Sequence, residues 1–496
     1  MAFSVWNQLI RILSVVLIFG LLLSCSPGAD TDNTEGPSPI AELKDGFFVL
    51  IGGGSEKDWN GTSWSDKLYQ WIVNKAEGGK IGILSTSDQT VWLANYFRKL
   101  GAVSVEDFKI NSRTVADSEL IYNSLTACRV LFIKGGDQSE YYSLWKNTRT
   151  QQAIERVYKT DGIIAGTSAG AMILSKILFT AENGSLYPED ALRNPFDPDL
   201  ILKNDFLAIL DNVLVDTHFT QRGRIARLSV MIGRWNQENS ANIIGIGIDD
   251  NTALIIDPDM KSEIIGEGSV TVIYRSDNSI LEMQADQPPV FSDIQYHQMT
   301  EGYRFDLSKR QLIDEAENAE ETGPFGSRGN LTGNTHYIDG VEEQDRLSGA
   351  FVLDFGGEND SLYLGTVQLL DGNAEIPSSV IVTNAFTDSK MIENRIGGAM
   401  YSLYRNPGYF SLWLDKDSDI LFQDTGLALP NHRKVNRVSV MILDSNRVES
   451  VSHSVYIANP DNSSRRRQSV GLVNCRLHLI SSGFAFDFVN GTIRRE

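Results

Sequence analysis

Cysteine is nearly absent: Cys25, Cys128 and Cys475 are the only three in a chain of 496 residues. A disulfide-stapled scaffold is therefore excluded, because such folds need several closely spaced pairs. Histidine is also scarce, with six residues at 218, 297, 336, 432, 453 and 478. None stands in His-Glu-x-x-His or at a Cys/His ligand spacing, so no metal site is expected. Basic residues are outnumbered, 44 Lys and Arg against 64 Asp and Glu, for a net charge of −20. General nucleic-acid binding wants the opposite balance, and the acidic surplus is read as a solubility feature.

A long apolar span is missing as well. The apolar run Ile12–Leu23 has twelve residues, short for a bilayer and the right length for the core of a signal peptide. Arg11 is the only charged side chain in the first 24 residues. The run ends Leu22-Leu23-Ser24-Cys25, which resembles the bacterial lipobox, where the cysteine becomes the first mature residue and carries lipid. Residues 1–24 are accordingly expected to be a lipoprotein signal peptide, with Cys25 as the lipidation site. A plain signal peptide or a weak anchor helix is the alternative. Residues 25–44 lack core-forming side chains over most of their length and read as a flexible tether.

What is present is an alternation. Short apolar runs recur at Phe47–Ile51, Lys80–Leu84, Arg129–Ile133, Gly162–Ala165, Val213–Asp216 and Ile243–Ile248. Their length and lack of a polar face predict strands buried on both sides of a mostly parallel sheet. Helical patterns lie between them: Trp92, Leu93, Tyr96, Phe97 and Leu100 share one face, and Gly101 ends that helix. The fold class is therefore α/β, a doubly wound layered sheet over residues 45–313, with its site at the carboxyl ends of the strands.

Gly166-Thr167-Ser168-Ala169-Gly170 fits G-x-S-x-G between the run Gly162–Ala165 and the stretch Ala171–Phe179, whose apolar residues fall at helical spacing. A strand–turn–helix of this kind lifts a serine hydroxyl off a sheet edge and sets free N–H groups behind it. The five-residue pattern is weak by itself, and a plain glycine turn would fit it equally well. Other strand ends add context. Gly52-Gly53-Gly54 has neither dinucleotide-binding nor Walker spacing and is read as a close-packed turn. Gly135-Gly136-Asp137-Gln138 offers backbone N–H groups and an amide. His218 follows the run Val213–Asp216, where it can act as general base for a serine on a neighbouring strand. Arg222, Arg224 and Arg227 concentrate positive charge beside it and suit carboxylates; a solvated helix face is the blander reading. The run Ile243–Ile248 leads into Asp249-Asp250, where a carboxylate can orient the imidazole. The order Ser, His, Asp differs from that of the α/β-hydrolases.

Taken together, these segments resemble the cyanophycinases and the related aspartyl dipeptidase E enzymes, the S51 serine peptidases, with their class I glutamine amidotransferase-like fold. The likeness rests on Gly135–Gln138, Gly166–Ala171, Asp216–Phe219 with Arg222, Arg224 and Arg227, and Gly245–Ala253; Tyr303–Leu307 looks like the closing strand of that family. It implies Ser168 as nucleophile, His218 as general base, Asp250 as triad acid, and the N–H groups of Gly136 and Ala169 as oxyanion hole. It further implies a pocket lined by Gln138, Asp216, Arg222, Arg224 and Arg227, no cofactor, and a peptide substrate bearing aspartyl carboxylates. Family members release β-aspartyl-arginine dipeptides from cyanophycin. Two positions depart from the pattern: Asp250 stands where the family usually has Glu, and Thr217 where cyanophycinases usually have Gln. An α-aspartyl dipeptidase and a decayed, lipid-anchored binding protein are the rival readings.

Residues 314–347 read as a linker and 348–496 as an accessory domain. Echoes of the first part there, at Ala350–Gly357, at Ser379–Thr383 with Met391–Tyr404, and at Arg437–Ile442 against Arg227–Ile232, suggest a degenerate second α/β unit, an unrelated strand-rich domain being the alternative. The expected partners are the peptide substrate and, through the lipid, a membrane, with no nucleic acid. The expected location is the bacterial cell envelope, at the outer membrane or facing the periplasm. Homodimerisation stays open.

Overall fold

The computed structural model describes residues 45–54, 63–317, 319–321, 367–370, 379–382, 400, 403, 407–414, 421–423, 426–428, 439–457, 466–481, 483–487 and 490–495. Cys25, the signal segment and tether, most of the linker and the echo Ala350–Gly357 lie outside these residues.

The first five strands are β1 (Phe47–Ile51), β2 (Lys80–Ser85), β3 (Val105–Lys109), β4 (Cys128–Ile133) and β5 (Ile163–Thr167). They pair in parallel in the order β1-β5-β4-β2-β3. Val49, Ile51, Ile81, Ile83, Val130, Phe132, Ile163 and Ala165 face one core, beneath the helices Trp64–Lys75 and Val91–Lys99. Phe48, Leu50, Leu84, Leu131, Ile133 and Ile164 face the other, under the helix Arg149–Lys159. Burial on both faces is why β1, β2, β4 and β5 read as apolar runs, whereas β3, at the edge, exposes Glu106 and Lys109 and shows no such run. The chain is thus α/β with parallel strands at its centre.

Beyond β5 come β6 (Ser175–Phe179), β7 (Leu202–Lys203), β8 (Leu210–Thr217), β9 (Ile244–Ile248), β10 (Thr252–Ile256), β11 (Lys261–Gly266) and β12 (Val270–Arg275). After these follow β13 (Leu281–Glu282), β14 (Val290–Met299), β15 (Arg304–Asp306) and β16 (Gln311–Asp314). β10 pairs antiparallel with β1, and β11, β15 and β16 extend that edge to make nine strands. β15 falls within the segment expected to close the sheet.

Two features differ from the sequence reading. The stretch Ala171–Phe179 is not a helix: one helical turn, Ala169–Met172, gives way to β6. β6 runs parallel to β8, so its apolar residues serve a buried strand, and a short apolar run cannot distinguish the two states by spacing. Next, β8 and β9 do not join β1–β5. They pair in parallel with each other in a second sheet that continues through β12 and β14 into Arg466–Ser481, Ser439–Asp444, Phe410–Leu414, Ser379–Val382 and Val367–Leu370. This sheet therefore takes strands from both the first and the last parts of the chain. Within the segment said to echo the helical residues Arg227–Ile232, Ser439–Asp444 is a strand, held between Phe410–Leu414 and Arg466–Ser481. Among the described residues, no helix is long and apolar enough to cross a membrane.

Candidate active site

The carboxyl ends of β1, β4 and β5 from the first sheet meet those of β8 and β9 from the second, and the turn Gly52–Gly54 ties them together. Ser168 N–H donates to the Ile51 carbonyl at 2.9 Å, and His218 N–H to the Gly52 carbonyl at 2.9 Å. Asn251 N–H reaches the Gly53 carbonyl at 2.9 Å. Three segments distant in sequence are thus registered on one turn.

Ser168 sits at φ 54°, ψ −123°, a conformation that costs a non-glycine residue about 1–3 kcal/mol. The turn can be that sharp because the motif glycines pack backbone on backbone. A Cβ on Gly166 would lie 2.3 Å from the Gly170 carbonyl oxygen, and one on Gly170 would lie 2.3 Å from that of Ile133. The result lifts the Ser168 hydroxyl to 2.7 Å from His218 Nε2. On the other side of the ring, His218 Nδ1 stands 2.5 Å from Asp250 Oδ1. An ionised carboxylate only accepts, so Nδ1 carries the proton and Nε2 is left to accept from the serine. Both side chains are largely covered, 17% and 24% exposed.

The surroundings hold this alignment. Asp249, fully buried, accepts from Thr220 N–H and Oγ1 with one carboxylate oxygen, and from Ser269 N–H and Oγ with the other. Burial raises its pKa above the usual carboxylate value although these four bonds oppose the shift. Gln221 Oε1 accepts from Asp250 N–H at 3.1 Å. The loop after β8 is thereby pinned to the loop after β9.

The arginines are arranged unequally. Arg227, at the start of the helix Ile225–Asn239, grips Asp216 with Nε at 2.7 Å and Nη2 at 2.6 Å, and donates through Nη1 to the Leu186 carbonyl. Arg224 reaches the same carboxylate at 3.2 Å and the Thr217 carbonyl at 2.7 Å. All three are buried, so the solvated-face reading does not apply to Arg224 or Arg227. Burial alone would raise the Asp216 carboxyl, but Arg227 and Arg224 outweigh it and hold the group below the usual range. Two guanidiniums share one carboxylate, which leaves positive charge in excess. Burial, and then Arg227, push the Arg224 pKa down to about 9. Arg222 is exposed on the turn Thr220–Arg222, and Gln138 is half-buried where it begins the helix Gln138–Trp145. Thr217 Oγ1 is buried with no hydrogen-bond partner among the described residues. Gly136 is exposed, and Ala169 opens its helical turn, where an N–H has no partner four residues back.

Sequence reasoning singled out Ser168, His218 and Asp250, and these three converge. It missed the bracing roles of Asp249 and Gln221, which show no local pattern, and the function of Gly53. The triple glycine was the available signal there. Among the described residues, no cluster of three or more His, Cys, Asp or Glu could hold a metal ion.

Part of the chain is similar to known proteins. Residues 87–264 match the model of peptidase family S51. The chain is similar to the cyanophycinase of Synechococcus elongatus, 29% identical over 220 residues, which are 44% of this chain and 64% of that protein. With the cyanophycinase of Trichormus variabilis the identity is 27% over 221 residues, 44% of this chain and 70% of the relative. With that of Geminocystis herdmanii it is 25% over 272 residues, 53% and 94%. The match thus spans under two thirds of the length of the Synechococcus protein. Among solved structures, a peptidase from an acI-B1 actinobacterium is 18% identical with a TM-score of 0.37, covering 53% of this chain and 98% of its own. A putative peptidase E protein from Listeria monocytogenes is 16% identical with a TM-score of 0.28, covering 43% and 95%. Over residues 87–264 the chain is thus similar to peptidase family S51.

Proposed function

We propose that the chain is a serine peptidase that hydrolyses aspartyl-containing peptides, with cyanophycin-type isopeptides as the leading substrate class. The observation that carries this reading is the relay from Ser168 Oγ to His218 Nε2 at 2.7 Å and from His218 Nδ1 to Asp250 Oδ1 at 2.5 Å. His218 takes the serine proton as the hydroxyl attacks the scissile carbonyl, and Asp250 stabilises the imidazolium that forms. The N–H groups of Gly136 and Ala169 receive the oxyanion. His218 then protonates the leaving amine, and water, deprotonated by the same imidazole, releases the acyl group. No cofactor enters any step. Aspartate in place of glutamate is one methylene shorter, and the 2.5 Å contact supports its serving as the acid.

Specificity follows from the arginines. The positive charge left over around Arg224 favours a substrate carboxylate, with Arg222 and Gln138 at the rim. Asp216 orients the guanidiniums from below. Thr217 favours a second reading, an α-aspartyl dipeptidase, because its buried hydroxyl, without a partner among the described residues, stands where cyanophycinases usually have Gln. Lipidation at Cys25 and an envelope location complete the proposal.

The test is hydrolysis of a panel of cyanophycin, β-aspartyl dipeptides and α-aspartyl dipeptides by membrane and soluble fractions of cells expressing the full chain. Activity on at least one panel member is expected in the membrane fraction, lost in Ser168→Ala and shifted to the soluble fraction in Cys25→Ala. Undiminished hydrolysis by purified Ser168→Ala would end the mechanism.

A further inference from the structure

We propose that Tyr141 is a positioning residue that aims the Gly136 N–H at the oxyanion; this rests on the serine-hydrolase reading above. Tyr141 lies on the helix Gln138–Trp145 and is fully buried. Its hydroxyl has one proton and faces two carbonyl oxygens of the preceding loop, Lys134 at 2.8 Å and Gly135 at 3.2 Å. In a planar trans peptide the C=O and the following N–H point in opposite directions. Holding the Gly135 carbonyl toward Tyr141 therefore turns the Gly136 N–H away from the core, to the open side of the loop. The neighbouring contacts agree. A Cβ on Gly136 would lie 3.2 Å from Tyr141 Oη, whereas one on Gly135 would lie 3.3 Å from Ser168 Cβ and 3.9 Å from Ser168 Oγ. Gly136 N–H has no acceptor among the described residues, so it is available to an incoming oxyanion.

The ring itself is fixed. Tyr141 packs on Trp145 with centroids 4.6 Å apart, and the Trp145 indole donates to the Ile110 carbonyl at 2.8 Å. The other end of the loop is tied down by Lys134 Nζ, which donates to the Asp88 carbonyl and to Thr90 Oγ1. Burial raises the Tyr141 pKa further above neutrality, which keeps the hydroxyl a donor. A glycine pair is otherwise the freest backbone in the site, and the tyrosine proton is what selects one orientation of its peptide.

The experiment compares Tyr141→Phe with the wild type in the full chain. A biotinylated fluorophosphonate reports the rate at which Ser168 is phosphonylated, a step that needs the oxyanion donors but no natural substrate. The expected result is labelling of Ser168 to the same final extent at a rate about 10- to 100-fold lower, somewhat less than the cost of deleting a donor outright. On whichever panel peptide is turned over, kcat should fall by a similar factor with KM unchanged, a split that a general loosening of the pocket would not give. Tyr142→Phe is the control, since the Tyr142 hydroxyl bonds Asp205 away from this loop, and it should leave both readouts unchanged. Wild-type rates in folded Tyr141→Phe would overturn the inference while leaving the hydrolase reading intact. Absence of labelling in the wild type would overturn the hydrolase reading itself. Should Tyr141→Phe fail to fold, 4-fluorophenylalanine placed at position 141 decides: it keeps the ring and nearly the size of the hydroxyl but has no proton to donate, and a wild-type phosphonylation rate there would overturn the proposal.

Discussion

Gly53 leaves no room for a side chain. Its φ is +123°, and a Cβ there would lie 2.2 Å from His218 Cε1, 2.7 Å from His218 Nδ1 and 2.9 Å from Asp250 Oδ1. The imidazole and its carboxylate partner are therefore seated directly on backbone. This makes Gly53 the sharpest residue-scale test of the arrangement. In Gly53→Ala the ring must move by an ångström or more, and a displacement of that size costs about a hundredfold in rate. Strain at the unfavourable φ adds about 1–3 kcal/mol of lost stability. Phosphonylation of Ser168 and thermal unfolding of Gly53→Ala measure the two effects separately; a wild-type rate would show that the ring is not held from this side. The strain at Ser168 and His218, both at positive φ, belongs to the same logic: hydrogen bonds to Ile51 and Gly52 hold two unfavourable backbones where their side chains meet.

Among the elements, the pairing of β14 with Arg466–Ser481 carries the second sheet into the last part of the chain, and it buries two histidines. His297 accepts from Asn474 N–H through Nδ1 and lies near the Tyr274 hydroxyl. His478 accepts from Asp293 N–H through Nδ1, and its Nε2 is buried without a partner among the described residues. Burial pushes their pKa values down to about 3 and about 4, with Arg476 adding to the effect in both and Asp293 opposing it at His478. An unfolded histidine takes up a proton near pH 6.5 while these two stay neutral in the native state, so stability is full above that pH and falls as the pH drops toward 4. The expected loss is on the order of a few kcal/mol by pH 4. Urea unfolding from pH 7 to pH 4 checks this, with His478→Gln as comparison: its stability should depend less steeply on pH than that of the wild type. Equal slopes would mean that His478 does not stay neutral in the folded protein.

At the scale of the whole molecule, much of the first sheet was legible because buried parallel strands leave unbroken apolar runs. Phe47–Ile51 matches β1 residue for residue, and five further runs fall on strands with ends shifted by a few residues. Which sheet a strand joins was not legible. β8 and β9 look like their predecessors in sequence, yet pair in a second sheet, because partner choice depends on contacts far along the chain. β6 was misread as helix since five apolar-rich residues satisfy either period. The converging side chains were legible as types at strand ends, in Ser168, His218 and Asp250. Their supports were not: the Asp249 carboxylate and the Tyr141 hydroxyl act through bonds to loops that no local pattern announces.

The measurement that bears most directly on the account is the site and rate of fluorophosphonate labelling, read by peptide mass spectrometry on the full-length wild type and on His218→Ala. A single phosphonylated residue, Ser168, is expected in the wild type, with a rate at least a hundredfold lower once the imidazole is removed. Labelling of Ser168 at the same rate in both proteins, or no labelling of Ser168 in either, would contradict it.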